Sequence, residues 1–128
     1  EKRMRKQDLL LEYLPEPVVY GPDDAKYSLV GWGSAKSSVI DAMQQLNASE
    51  PTINYLHYEY IYPFKELQFL EFVNKANTAI LIENNFTGQL GNLITAQTSY
   101  QFDHRLLKYD GRPFFVEDIT NFIEALEK

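Results

Sequence analysis

The groups best placed to do chemistry lie in Glu83-Asn84-Asn85-Phe86-Thr87-Gly88-Gln89-Leu90. Glu83 is the carboxylate that the pattern puts at a strand end beside other polar groups. One use for it there is to move a proton as a general acid or base. The other, which the surroundings favour, is to accept hydrogen bonds from amides of the turn that follows. Asn84, Asn85, Thr87 and Gln89 carry no charge and suit a structured contact better than acid–base work. A second turn, Gly31-Trp32-Gly33-Ser34, invites a dinucleotide reading. The third glycine of that fingerprint would fall at Lys36. The plainer reading is a tight turn that lets a helix pack close to the sheet. Lys36 and the free amides of that helix start still offer an anchor for an anionic group on a partner.

Other chemistries lack their parts. His57 and His104 are far apart and have no partner at helical ligand spacing, so a zinc site is not visible. No Gly-x-Ser-x-Gly elbow supplies a nucleophile. With no cysteine, disulfides, thiolate catalysis and iron–sulfur ligation fall outside this chain. That composition is neutral about compartment and fits the cytoplasm. A net charge of -6 argues against nucleic acid and anionic membrane as partners. No apolar run approaches a membrane span, and the basic start lacks the apolar core of a signal peptide. The nine tyrosines and eight phenylalanines are read as core packing plus an aromatic surface facing another subunit, with a homodimer as one outcome.

The elements that must position these groups alternate. Residues 1–14 read as a helix stopped by Pro15 and Pro17, with Lys2, Arg3, Arg5 and Lys6 as a solvated or linker face. The chain opens on Glu1 with no initiator Met, which reads as a fragment or processed subunit. Val18-Val19-Tyr20 is a short strand, possible as an antiparallel edge. Tyr27–Val30 is a strand that runs into the glycine turn, followed by a helix on Val39, Ile40, Met43 and Leu46 with Ser34 as its N-cap. Ile53–Tyr62 is a strand, aromatic on both faces. A helix on Phe69, Phe72, Val73 and Ala76, with Leu67 and Leu70 beside them, ends near Asn77. Thr78–Glu83 is a buried strand, and a helix runs from about Thr87 to Thr98. A strand over Phe102–Lys108, the turn Tyr109-Asp110-Gly111-Arg112-Pro113 and a last helix on Ile119, Phe122, Ile123 and Leu126 complete the chain. This alternation predicts one α/β domain: three layers, a mostly parallel open sheet with helices on both faces.

Val30-Gly31-Trp32-Gly33-Ser34, Leu56-His57 through Tyr62-Pro63-Phe64, the Glu83–Leu90 turn, and Lys108-Tyr109-Asp110-Gly111-Arg112-Pro113-Phe114 occur here in order. Together they resemble the carboxyl-terminal domain of the alpha subunit of 2-oxoacid:ferredoxin oxidoreductases, the 2-oxoglutarate and pyruvate class. Phe86 stands where Tyr is usual, Tyr62 where Trp is common, and Ser37 where a glycine often sits. The resemblance implies a fold similar to the carboxyl-terminal domain of transketolase over residues 17–128, after a linker helix at 1–16. It implies a whole enzyme that decarboxylates a 2-oxoacid with thiamine diphosphate and magnesium. That enzyme passes electrons through an iron–sulfur cluster to ferredoxin and forms an acyl-CoA. None of these cofactors is assigned to this chain, because Tyr109-Asp110-Gly111 is not a thiamine diphosphate motif and no cysteine is present. The expected role is structure and assembly. Gly31 to Ser34, the polar residues Glu83, Asn84, Asn85, Thr87 and Gln89, and the pair Asp110 and Arg112 would face the rest of the alpha subunit and the beta subunit. Two alternatives stay open: a free nucleotide- or anion-binding domain using the Gly31–Ser34 turn, and a small enzyme using Glu83.

Overall fold

The computed structural model describes residues 16–48, 50, 52–59, 64–84, 89–108 and 112–127. The predicted helix over 1–14 lies outside them. Five strands form one sheet: β1 (Val18–Tyr20), β2 (Tyr27–Trp32), β3 (Ile53–Tyr58), β4 (Thr78–Glu83) and β5 (His104–Leu107). Their order is β1-β3-β2-β4-β5. The inner pairings are parallel, and β1 adds antiparallel at the edge, with Val18 opposite His57 and Tyr20 opposite Tyr55. Four helices are described: α1 (Lys36–Asn47), α2 (Glu66–Asn74), α3 (Gln89–Thr98) and α4 (Val116–Glu127), with a single 3-10 turn, Gly33–Ala35, leading into α1. This is the three-layer α/β fold that the alternation predicts.

Period-two alternation along the strands splits the core in two. On one face Tyr27, Leu29, Ile53, Tyr55, Ile80 and Ile82 pack under α1 and α4. On the other, Val30, Leu56, Tyr58, Ala79 and Leu81 pack under α2 and α3. The second core is a run of rings: Tyr58 on Phe64, Phe64 on Phe69, and Phe69 on Tyr100 and Phe102 at centroid separations of 4.8–5.9 Å. Offset and edge-on contacts at such distances add about 0.5–1.5 kcal/mol each beyond area burial. Tyr55 and Tyr58 are thus spent inside the domain rather than on an aromatic outer surface. Tyr60 and Tyr62 lie outside the described residues.

Several predicted boundaries move, each for a local reason. Strand β2 continues through Gly31 and Trp32 instead of turning at them. Strand β3 ends at Tyr58, where the Tyr58 hydroxyl donates to the Lys65 carbonyl (2.6 Å). Strand β5 is shorter than Phe102–Lys108, though Asp103 still anchors its start by accepting from the Ala79 amide. Ser34 does not cap α1: it lies within the 3-10 turn, and no side chain caps that turn. Helix α2 stops at Asn74, short of Asn77, whose side chain donates to the Ala25 carbonyl. Leu67 points outward at 71% exposure, unlike Phe69 and Leu70. Asn47 serves as the clasp between α1 and β3. Its carbonyl oxygen accepts from the Thr52 and Ile53 amides, and its nitrogen donates to the Ile53 carbonyl.

Candidate functional site

The chain leaves β2 toward β3 through α1 on one face, and leaves β4 toward β5 through α3 on the other. The carboxyl ends of β2 and β4 therefore flank the point where the winding reverses, the place where open α/β sheets leave a crevice. Trp32 and Glu83 are the last residues of those two strands.

They meet there. The Trp32 indole nitrogen donates to Glu83 Oε1 at 2.9 Å. The same oxygen accepts from the Leu90 amide at 2.7 Å, and Oε2 accepts from the Gly91 amide at 3.1 Å. Both amides belong to the first turn of α3, whose N–H groups have no intrahelical acceptor. Glu83 is fully buried, and α3 carries no acidic residue in its own first turn. Its carboxylate thus supplies the negative charge that a helix start favours. Gly91 permits the approach: a side chain there would lie 2.4 Å from Leu81 Cδ2. Of the two uses predicted for Glu83, hydrogen bonding to turn amides is the one observed.

The backbone continues the lock. The Lys108 amide donates to the Glu83 carbonyl at 3.0 Å, and Lys108 Nζ reaches Asp118 Oδ2 at 2.7 Å. Asp118 Oδ2 also accepts from the Phe115 amide at 2.8 Å, closing half a capping box on α4. The Lys108 hydrogen bond, then the Phe115 amide, hold the Asp118 carboxyl below its ordinary range. Lys108 also lies over the Phe115 ring, 4.4 Å from its centroid. Asp118 three residues past Phe115, just ahead of the α4 apolar pattern, was the available sequence signal for this clasp.

Around the lock is a shallow cleft lined by Trp32, Gly33, Ser34 and Asn84. Gly33, Ser34 and Asn84 are exposed, as are Gln89 at the start of α3 and Arg112. Asn85, Thr87 and Asp110 lie outside the described residues. The two glycines have different duties. Gly33 adopts φ 70°, a left-handed backbone with open space around it. Gly31 is extended in β2, and a Cβ on it would lie 3.0 Å from both the Tyr55 hydroxyl and the Ile82 carbonyl. Its missing side chain makes room for a tyrosine, not a phosphate.

The histidines also separate. His104 sits edge-on to Phe122. His57 is buried, with Nδ1 2.7 Å from the Tyr55 hydroxyl and Nε2 3.6 Å from Glu59 Oε1. Among the described residues, no group of three His, Cys, Asp or Glu side chains is gathered for a metal. No described helix is long and apolar enough to cross a membrane.

No family model matches the chain. It is 30% identical over 94% of its length to subunit alpha of 2-oxoacid:ferredoxin oxidoreductase 1 from Aeropyrum pernix, and 29% identical over 98% to the alpha subunit from Saccharolobus solfataricus. The chain spans 20% of the length of each of these relatives. Among solved structures, 99% of it superposes on 22% of a chain of 2-oxoglutarate:ferredoxin oxidoreductase from Magnetococcus marinus, with TM-score 0.90 and 28% identity. That protein was solved with 2-oxoglutarate, coenzyme A and succinyl-CoA bound. The alpha chain of a probable 2-oxoacid ferredoxin oxidoreductase from Thermoplasma acidophilum matches at TM-score 0.60 and 28% identity, over 98% of that chain. A transketolase from Campylobacter jejuni shares the fold at TM-score 0.61 and 18% identity. In sequence and in fold, over nearly its whole length, the chain matches a region of the alpha subunit of 2-oxoacid:ferredoxin oxidoreductases.

Proposed function

We propose that this chain is the carboxyl-terminal structural and assembly domain of the alpha subunit of such an oxidoreductase, residues 17–128 forming the domain and 1–16 a linker helix. The whole enzyme decarboxylates a 2-oxoacid on thiamine diphosphate with magnesium, forms an acyl-CoA, and reduces ferredoxin through an iron–sulfur cluster. 2-Oxoglutarate and pyruvate are the substrates within its class, and the cytoplasm is its compartment. The donor set here does not fit those cofactors: there is no cysteine for a cluster, and no described group suits a metal. No step is assigned to this chain through them.

The observation that carries the proposal is the state of Glu83. Its two oxygens accept three hydrogen bonds within the domain, and the residue is fully buried. A group so held is a structural acceptor committed to the scaffold. It also occupies the start of α3, which takes that helix start from an anionic ligand. What remains outside is a shallow cleft lined by Trp32, Gly33, Ser34 and Asn84; Arg112 and the half-exposed Phe115 ring are exposed as well. A polar rim around a few aromatic anchors suits docking against another protein surface. The face is assigned to the rest of the alpha subunit and to the beta subunit, with ferredoxin met only by the assembled enzyme.

Co-expression with the remaining alpha-subunit segment and the beta subunit tests this. Ser34→Arg adds a bulky charge to the exposed rim without touching either core. It should lower the yield of assembled enzyme while the domain remains folded by circular dichroism. Unchanged recovery of active enzyme, judged by 2-oxoacid-dependent dye reduction with coenzyme A, would remove the face from the interface.

A further inference from the structure

One titratable cluster has no part in the lock. His57 is 2% exposed and lies at the carboxyl end of β3, in register with Gly31 of β2 and Val18 of β1. Neither of those neighbours brings a charge. From its own strand comes the Tyr55 hydroxyl, 2.7 Å from Nδ1, and from the bend just past the strand comes the Glu59 carboxylate, 3.6 Å from Nε2. From α1 comes Lys36, whose ammonium is 4.0 Å from the same Glu59 oxygen. From β1 comes Tyr20, stacked on Tyr55 at 6.3 Å and lying under the Lys36 ammonium.

The protonation pattern follows from these partners. A carboxylate beside Nε2 favours the neutral tautomer that carries its proton on Nε2. Nδ1 then accepts from the Tyr55 hydroxyl, which burial keeps protonated far beyond neutral pH. A second proton must enter at Nδ1. That turns Nδ1 into a donor and displaces the Tyr55 proton from its acceptor. The new imidazolium faces Glu59, which is 53% exposed and free to swing inward. Burial, the largest cause, moves the His57 pKa down; Glu59 raises it and Lys36 lowers it.

We propose that His57 is a proton sensor beside the β2 end that carries Trp32, and that its protonation draws Glu59 away from Lys36 and weakens docking. The neutral ring, with Glu59 beside Lys36, is the docking-competent state. This rests on the assembly role for where the signal goes, but the proton chemistry stands without it.

The first measurement is an NMR pH titration of the His57 imidazole in the full chain. Its midpoint should lie below 6.5, fall further in Glu59→Gln and rise in Lys36→Met. An ordinary midpoint, unmoved by both variants, would overturn the sensor. The second is the association constant with the remaining subunits as a function of pH. It should weaken by up to about tenfold per pH unit below the midpoint, the limit for linkage to one proton. His57→Gln should flatten that slope; if it disturbs folding, Glu59→Gln, which removes the carboxylate shared by His57 and Lys36, should flatten it as well. A normal sensor titration with pH-independent association would overturn the regulatory role and leave the docking face intact. Failure of the docking face itself would appear separately, as Ser34→Arg assembling normally.

Discussion

The Glu83 carboxylate lies 2.9 Å from the Trp32 indole nitrogen and 2.7 Å from the Leu90 amide, joining β2, β4 and α3 at the point where the winding of the sheet reverses. An inward-facing acid at a strand end looks catalytic in a sequence. Here each described partner is a donor belonging to the scaffold, so the acid braces the wall of the crevice.

Glu83→Gln keeps one acceptor oxygen and presents an amide nitrogen in place of the other. The Gly91 or the Leu90 amide then faces a donor, and an unsatisfied buried amide costs about 1–3 kcal/mol. Glu83→Ala strips the acceptor from Trp32, Leu90 and Gly91 together and should cost more. Urea unfolding should rank wild type above Trp32→Phe, which loses one donor, and Glu83→Ala lowest.

Gly91→Ala sets two effects against each other. Helix propensity favours Ala by about 1 kcal/mol. Overpacking a closed core costs about 1–3 kcal/mol. The new methyl would meet Leu81 Cδ2 at 2.4 Å, and Leu81 is fully buried with nowhere to move. A net loss of stability is expected in denaturant melts.

Ser99 ends α3 at φ 63°, with its amide donating to the Thr95 carbonyl at 2.8 Å. Glycine bears that conformation without the Cβ penalty. Ser99→Gly should leave stability unchanged or raise it by up to about 1 kcal/mol. Asn47→Ala opens the clasp between α1 and β3 and should cost about 1–3 kcal/mol through the freed Thr52 and Ile53 amides. Asn47→Ala should lower the urea midpoint, and Ser99→Gly should not.

Acid should weaken the fold in two stages. The folded His57 pKa is depressed, so its contribution is complete above the unfolded value of 6.5 and is lost as pH falls through the folded one. The Asp118 pKa is depressed too, chiefly by the Lys108 hydrogen bond. Its contribution is present above 3.8 and fades below, and it is small because the group is well solvated. Urea midpoints across pH should lose the upper stage in His57→Gln and the lower in Asp118→Asn.

Much of this was legible in the chain. Ala79-Ile80-Leu81-Ile82 could be little other than a buried strand, and the apolar period of Ile119, Phe122, Ile123 and Leu126 marks α4 well. The sequence reads Gly31 to Ser34 as one turn, whereas Gly31 and Trp32 belong to β2, and it reads the two glycines alike. Gly31 is required by Tyr55 on the neighbouring strand, a demand set by strand order, which alternation does not reveal. The Trp32–Glu83 bond spans 51 positions and depends on β2 lying beside β4. The Tyr55–His57–Glu59 line is different: its members stand two apart in the chain, at the end of β3 and just past it, so the spacing offered it directly.

Turnover per assembled enzyme decides whether Glu83 is scaffold or chemistry. Glu83→Gln should assemble in lower yield but keep 2-oxoacid-dependent dye reduction within about twofold per mole of intact enzyme. A general acid or base contributes about 100-fold or more. Full assembly with turnover reduced on that scale would contradict the scaffold role and return Glu83 to the active site.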